Sequence, residues 1–448
     1  MARLIIDVSA SARWLGPPVG ILRVEQEIAL QAMRRGGDVE IVVHDPLGDG
    51  LRPVMPRWRE KLIGPDTVLD TIWLDVRRHL SLWQRLRTPR YPLAMALERA
   101  RLSGVPLAGA AMKLLVGRHM RQPPFVDAAG RRIGLVPWHG ALGPPLEPGP
   151  GDTVISAGPD WQRKGRALVD LRARHGFRLA VMCYDLLPVV HPEWFFDDDV
   201  ARFSAYWRAV IPAADRIFCN ARCVAQDLRD FAAAERLGGV DPVVVPLGYA
   251  PPAAPRSLPD LPAPLSPGRF ALFVSTVEPR KGHAVLADAW QALLARGVPQ
   301  QAGFHLVFVG RRGWKVDALL DRLDALGADP ANRFVHLDAA EDALLARLYR
   351  DAAFCLYPSR SEGFGLPIIE AMAQGKAVIA STGGAVAETA AGVAPCLDPL
   401  DVDAWTGTLG AWIADPAARA PWEARIAAGF RFETWPQAAE RIIAAALA

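Results

Sequence analysis

The chain has 448 residues, 51% of them apolar, which is long enough to bury two ordinary cores. Its 51 Lys and Arg nearly balance its 48 Asp and Glu, and a formal charge of +3 excludes nucleic-acid binding by bulk charge, so any basic function must be local. Five cysteines, at 183, 219, 223, 355 and 396, form no CxxC pair; Cys219 and Cys223 stand at helical spacing without a clustered histidine, so the set reads as reduced thiols of a cytoplasmic protein and no metal is assigned to it.

In chain order, the apolar stretch of MARLIIDVSASARW breaks at Asp7, too early for a signal sequence, and reads as a first strand. GILRVEQEIALQAMRRG follows with helical spacing and VEIVVHD as a strand. From about Val54 to Pro150 the pattern degrades into sequence rich in Pro, Gly and Arg, which is expected to be an insertion in the N-terminal domain. Its most apolar run, PLAGAAMKLLVG, is broken by Pro106 and Lys113, so the protein is not expected to span a membrane. Residues 77–121 set Arg77, Arg78, Arg85, Arg87, Arg90, Arg99, Arg101, Lys113, Arg118 and Arg121 against the single acid Glu98, interleaved with Leu80, Trp83 and Tyr91. That segment suits anionic lipid headgroups or a lipid-diphosphate acceptor; a solvated charged insertion is the rival reading, and no RNA module accompanies it.

Strand patterns return in DTVISAG, RLAVMCYD, RIFCN and PVVVPLG, making residues 1–250 an α/β domain. The acids Asp197, Asp198 and Asp199 follow an aromatic run and precede VARFSAYWRAV, the setting of an acidic helix start rather than of a metal site. His191 reads as structural. The proline-rich stretch 251–268 cannot continue helix or sheet and marks a linker. Beyond it RFALFVSTV, FHLVFVG, RFVHLD, FCLYPS and KAVIAS alternate with HAVLADAWQALLARG, VDALLDRLDALG, EDALLARLYRDA and LPIIEAMAQG. Such alternation predicts a second α/β domain over 269–430, a parallel sheet with helices on both faces.

Chemistry concentrates in SRSEGFGLPIIEAMAQGKAVIAS, residues 359–381. After a strand, Gly363 and Gly365 permit a tight turn and Pro367 suits the first turn of a helix. The backbone donors of Gly363, Phe364, Gly365 and Leu366 would then converge at a positive helix end suited to a diphosphate. Glu370 lies one turn inside that helix and Glu362 on the loop before it. A second element, STVEPRKGHAVLADAW, brings Glu278, Arg280 and Lys281 to the end of another strand, where two adjacent cations would neutralise a leaving diphosphate.

With Glu362 and Glu370 spaced by seven residues around GFGLP, and EPRK at 278–281, the sequence resembles the retaining GT-B glycosyltransferases called glycosyltransferase family 4. The resemblance covers the C-terminal half and, more loosely, the N-terminal half. It implies two facing Rossmann-like domains with parallel sheets, and a helix over 431–448 that returns to the first domain and suits hinge closure. It assigns the donor ribose to Glu370, the transferred sugar to Glu362, the phosphates to Arg280 and Lys281, a glycine turn under the nucleotide to Gly310 with Arg311 beside it, base contact to the backbone near Val335 to Leu337, and a glycine turn near the phosphates to Gly20, in the loop before the first helix. The chain departs from the family where Ser275 and Thr276 stand in place of a Gly-Arg pair. It departs again at Tyr184, where members often carry a histidine; Asp185 then either orients an acceptor hydroxyl or caps a turn.

The function implied is transfer of a hexose, with mannose from GDP-mannose favoured, to a glycan or lipid-linked acceptor in surface polysaccharide synthesis. It needs no cofactor, since the nucleotide sugar is a substrate, and no metal or nucleic acid. The expected location is the cytoplasm, with residues 77–121 as a peripheral contact at the inner face of the membrane. The rival expectations are a hexosyltransferase using a UDP-sugar and a non-catalytic protein that binds nucleotide or glycan as an assembly partner.

Overall fold

A computed structural model of the chain describes residues 2–14, 20–45, 50–64, 67–70, 125–126, 132–137, 141–163, 166–251 and 258–448. The basic segment 77–121 lies outside them. Two compact units are formed, one from Met1–Met182, Ala209–Arg216 and Ala439–Ala448, the other from Cys183–Arg208 and Ile217–Ala438.

The first sheet contains β1 (Leu4–Asp7), β2 (Val39–His44), β3 (Leu51–Pro53), β7 (Thr153–Ser156), β8 (Arg178–Cys183), β9 (Arg216–Cys219) and β10 (Val243–Val244), in the order β10-β9-β8-β7-β1-β2-β3. Strand β1 pairs in parallel with both β2 and β7, and Ile6 stands opposite Ile41 on one side and Ile155 on the other. The edge strand β3 runs antiparallel to β2. Runs such as LIID and TVIS are buried at every position, the pattern of strands covered on both faces. Within the stretch expected to lack periodicity, β4 (Thr67–Asp70), β5 (Phe125–Val126) and β6 (Arg132–Pro137) form a small separate sheet, ordered β4-β6-β5. β4 is far in sequence from its partner β6, and β5 has only two residues, so no local period announces them.

The second sheet contains β11 (Phe270–Val274), β12 (His305–Val309), β13 (Phe334–Leu337), β14 (Phe354–Tyr357), β15 (Val378–Ser381) and β16 (Cys396–Leu397), all parallel, in the order β13-β12-β11-β14-β15-β16. The chain steps outward from β11 to β13, then returns to β14 and steps the other way. Neighbours β11 and β14 therefore send their loops apart, and the carboxyl ends of these two strands border a crevice. Its core contains the fully buried Trp290 and Trp405 with Phe273, Phe308 and Phe354. Each buried indole finds an acceptor: Trp290 Nε1 donates to Asn332 O at 2.8 Å and Trp405 Nε1 to Asp398 O at 3.0 Å. These bonds offset the desolvation that burial of an N–H costs.

Two local expectations meet the structure differently. Asp197, Asp198 and Asp199 open the helix Asp197–Val210, as their sequence setting implies. Gly20, expected in a loop, is instead the first residue of the helix Gly20–Arg35. The misplacement is a boundary error: nothing between Gly16 and Gly20 in LGPPVGILRVEQ shows which residue starts the helix. The last helix spans Trp435–Leu447.

Candidate functional site

The site is built at the ends of β11 and β14 by two loops and one helix. After β11, the turn through Glu278, Arg280 and Lys281 leads into the helix His283–Ala295. After β14, Ser359 to Gly365 lead into the helix Leu366–Ala373, with Gly365 left-handed at φ 99° immediately before it and Pro367 in its first turn. The loops are tied together by Arg360 N, which donates to Arg280 O at 2.7 Å.

Glu362 is the hub. Arg280 Nη1 donates to its Oε2 at 2.6 Å, Lys281 Nζ to its Oε1 at 2.6 Å, and Ser359 Oγ to the same Oε1 at 2.7 Å. Arg280 also donates from Nη1 to Ser361 O at 3.2 Å, and its Nε pairs with Glu278 Oε2 at 3.2 Å. The three side chains of the hub are only 7 to 16% exposed. Burial works to raise the Glu362 carboxyl, but Lys281 and Arg280 overcome it and hold the pKa at about 2. Glu362 is therefore an anion at neutral pH, able to accept hydrogen bonds and to stabilise developing positive charge but not to donate a proton. For Arg280 burial acts to lower the pKa, and Glu362, Glu278 and Asp185 more than reverse it, so the guanidinium stays charged.

Gly363 is fixed by close approach. A Cβ there would lie 2.1 Å from Tyr184 O and 3.0 Å from Asp185 Cβ, which brings Asp185 to the same loop. Asp185 Oδ1 accepts from Leu187 N at 3.2 Å and so caps the turn that leads into the short helix Leu187–Val190. Burial raises its pKa against the opposing pull of Arg280. Of the two readings of Asp185, the cap is realised in the geometry, and its placement beside Gly363 leaves the second open.

The amides of Gly363, Phe364, Gly365 and Leu366 donate to no group among the described residues. Glu370 sits on the helix they introduce and accepts from Tyr349 Oη at 3.0 Å through Oε2. Gly310 ends β12; a Cβ there would lie 1.9 Å from Ser275 O, so its lack of a side chain serves the packing of two adjacent strand ends. Arg311 is exposed, while its neighbour Arg312 is paired with Asp324. Trp314 Nε1 donates to Trp194 O at 2.9 Å and Lys315 Nζ to Glu193 O at 3.2 Å, so the turn after Gly310 is anchored on residues 193–195. His191 stacks on Trp194 with ring centroids 4.0 Å apart, the structural part its sequence position implied. Among the described residues no three His, Cys, Asp or Glu side chains are grouped to hold a metal ion, and no helix is long and apolar enough to cross a membrane.

The structure thus brings Glu362, Arg280, Lys281, Asp185 and Gly363 to one place. Several members of the site were not singled out from sequence. Ser359 bonds the Glu362 carboxylate, Ser381 Oγ donates to Ser359 O, and Thr389 Oγ1 donates to Phe364 O. Ala385 N further donates to Glu362 O at 2.9 Å. The loop after β14 therefore hangs from the end of β15 and the residues that follow it. The sequence marks Ser381 alone among the β15-side anchors, as the start of the small, polar STGG at a strand end.

Residues 268–415 match the family Glycosyl transferases group 1. This part of the chain is similar to the domain that family describes. The chain is similar to the serotype-specific mannosyltransferase WbdA of Escherichia coli, 30% identical over 216 residues that make up 45% of this chain and 25% of WbdA. It is 36% identical to the E. coli O-antigen chain mannosyltransferase B over 135 residues, 30% of this chain and 34% of the relative. It is 31% identical to the D-inositol 3-phosphate glycosyltransferase of Acidothermus cellulolyticus over 241 residues, 52% of this chain and 53% of that protein. The chain thus spans about a quarter of the length of WbdA and about half that of the last relative. Its fold is GT-B: sucrose-phosphate synthase of Thermosynechococcus elongatus superposes with a TM-score of 0.55 at 19% identity, covering 99% of this chain and 97% of its own. Anabaena HepE, solved with UDP and glucose, gives 0.54 at 14% identity, covering 99% of each. The resemblance read from Glu362, Glu370 and the 278–281 turn is matched by the family similarity over residues 268–415 and by the GT-B fold.

Proposed function

We propose that the chain is a retaining hexosyltransferase that moves mannose from GDP-mannose to a glycan or lipid-linked acceptor in surface polysaccharide synthesis, without a metal. The observation that carries the proposal is the buried pair Arg280 and Lys281, closed on Glu362 beside four amides at 363–366 that donate to no group among the described residues. Two cations and a row of N–H donors form a receptor for the charge that builds on a departing diphosphate. The C1–O bond to the diphosphate breaks as the acceptor hydroxyl oxygen bonds to C1 on the same face, and the hydroxyl proton passes to the leaving phosphate oxygen. Ionised Glu362 stabilises the positive charge on the sugar, and Glu370 receives the ribose hydroxyls. Asp185 orients the acceptor. The mannosyltransferase names of the relatives favour a mannose donor.

A second reading, a hexosyltransferase that uses another nucleotide sugar, is favoured by the similarity to the inositol-phosphate glycosyltransferase. Titration calorimetry with GDP and UDP separates them: binding of GDP alone supports the first reading, binding of UDP alone the second, and binding of neither sinks both.

A further inference from the structure

Glu370 is held by a residue that no motif points to. Tyr349 lies on the helix Asp342–Asp351, just before β14, and its side chain is buried, 3% exposed. Its hydroxyl donates to Glu370 Oε2 at 3.0 Å. No hydrogen bond reaches Glu370 Oε1 among the described residues. A glutamate at the end of a flexible side chain samples several rotamers, and a ribose diol needs one of them. A single buried donor on one oxygen selects that rotamer and leaves the other oxygen to accept. Burial raises the Glu370 pKa and the Tyr349 hydroxyl acts against it, favouring the ionised, acceptor-only form.

From this geometry we infer that Tyr349 is a positioning residue for nucleotide recognition, fixing Glu370 so that it reads the ribose hydroxyls of the donor. The inference rests on the donor-binding reading above. Tyr349→Phe removes one oxygen and keeps the ring that fills the core, so the fold is retained and a melting curve verifies it.

The test is calorimetric titration of wild type and Tyr349→Phe with GDP and UDP and with their 2′,3′-dideoxy forms. The variant is expected to bind the ribonucleotide about tenfold more weakly, the worth of one hydrogen bond to a charged group. It is expected to bind the dideoxy form as wild type does, because nothing is left for Glu370 to read. In turnover the donor KM rises by a similar factor while kcat changes less than about twofold. In a Glu370→Ala background, Tyr349→Phe should have no further effect. Equal losses on the ribo and dideoxy nucleotides, or no loss on either, overturn the positioning role while leaving the donor-binding reading in place. A wild-type protein that binds no nucleoside diphosphate overturns both.

Discussion

The two parallel sheets reverse direction in the same way, β1 against β7 in one and β11 against β14 in the other, yet the chemistry at the two reversals is opposite. At the carboxyl ends of β1 and β7 acids and hydroxyls are bonded to one another. Ser156 Oγ lies within hydrogen-bond distance of both Asp7 Oδ2, at 3.0 Å, and Asp160 Oδ2, while Ser9 N donates to Asp7 Oδ1 at 3.0 Å. Nearby, Ser11 N donates to Glu25 Oε1 at 2.7 Å. At the ends of β11 and β14 stand Arg280, Lys281 and a row of amides around one carboxylate. A topological switch point therefore offers a place for a ligand without choosing its charge. The residues that follow the strands choose it, and Arg280 and Lys281 supply the second constellation with the cations that a diphosphate requires.

The largest expected effect that can break this contrast comes from Glu362→Gln. Transfer should fall by about three orders of magnitude, since an ionised group at the reacting centre is lost, as measured by release of nucleoside diphosphate. Turnover within tenfold of wild type would remove Glu362 from the chemistry.

Acid titration sharpens the same point. The Glu362 carboxyl is depressed from the ordinary 4.5 to about 2, so the unfolded chain binds its proton at a higher pH than the folded one. Its stabilising contribution is complete above about pH 4.5 and is lost as the pH falls toward 2, amounting to about 3 kcal/mol. Denaturant melts between pH 5 and 2 should show wild type losing this increment and Glu362→Gln lacking it. Parallel pH dependences would mean that the ion-pair hub does not form.

A smaller effect is expected at the turn. Gly363→Ala places a methyl against Tyr184 O and should cost about 1 to 3 kcal/mol in a thermal melt, with weakened nucleotide binding. The smallest is expected in the other sheet: Asp7→Asn should change nucleoside diphosphate affinity by less than about twofold by calorimetry. A larger change would show that the acid and hydroxyl cluster also senses the donor.

Much of this was legible in the sequence, for identifiable reasons. Every strand from β11 to β15 lies inside an apolar run that the chain writes between helical patterns, because a strand buried on both faces has no polar alternation to blur it. Arg280, Lys281 and Glu362 were legible because each directly follows such a run. Tyr349 was not, since on the face of EDALLARLYRDA a buried tyrosine looks like any core aromatic and its partner lies on another helix. Glu278 was quoted without a role, and its pairing to Arg280 emerges only once the turn is folded. The β4-β6-β5 sheet escaped because β5 is only two residues long and β4 pairs with a strand far along the chain, and neither leaves a periodic trace.

The carboxylate that closes on Arg280 and Lys281 has one more consequence. On the proposed reading these cations are already neutralised before a donor arrives, so binding is an exchange of anions in which the phosphates displace part of what Glu362 supplies. When the diphosphate departs, the same carboxylate is at hand to reclaim both cations. Glu362 would then act as a tethered competitor of the product, speeding its release, and strengthening the phosphate site by removing this acid would slow the cycle rather than improve it.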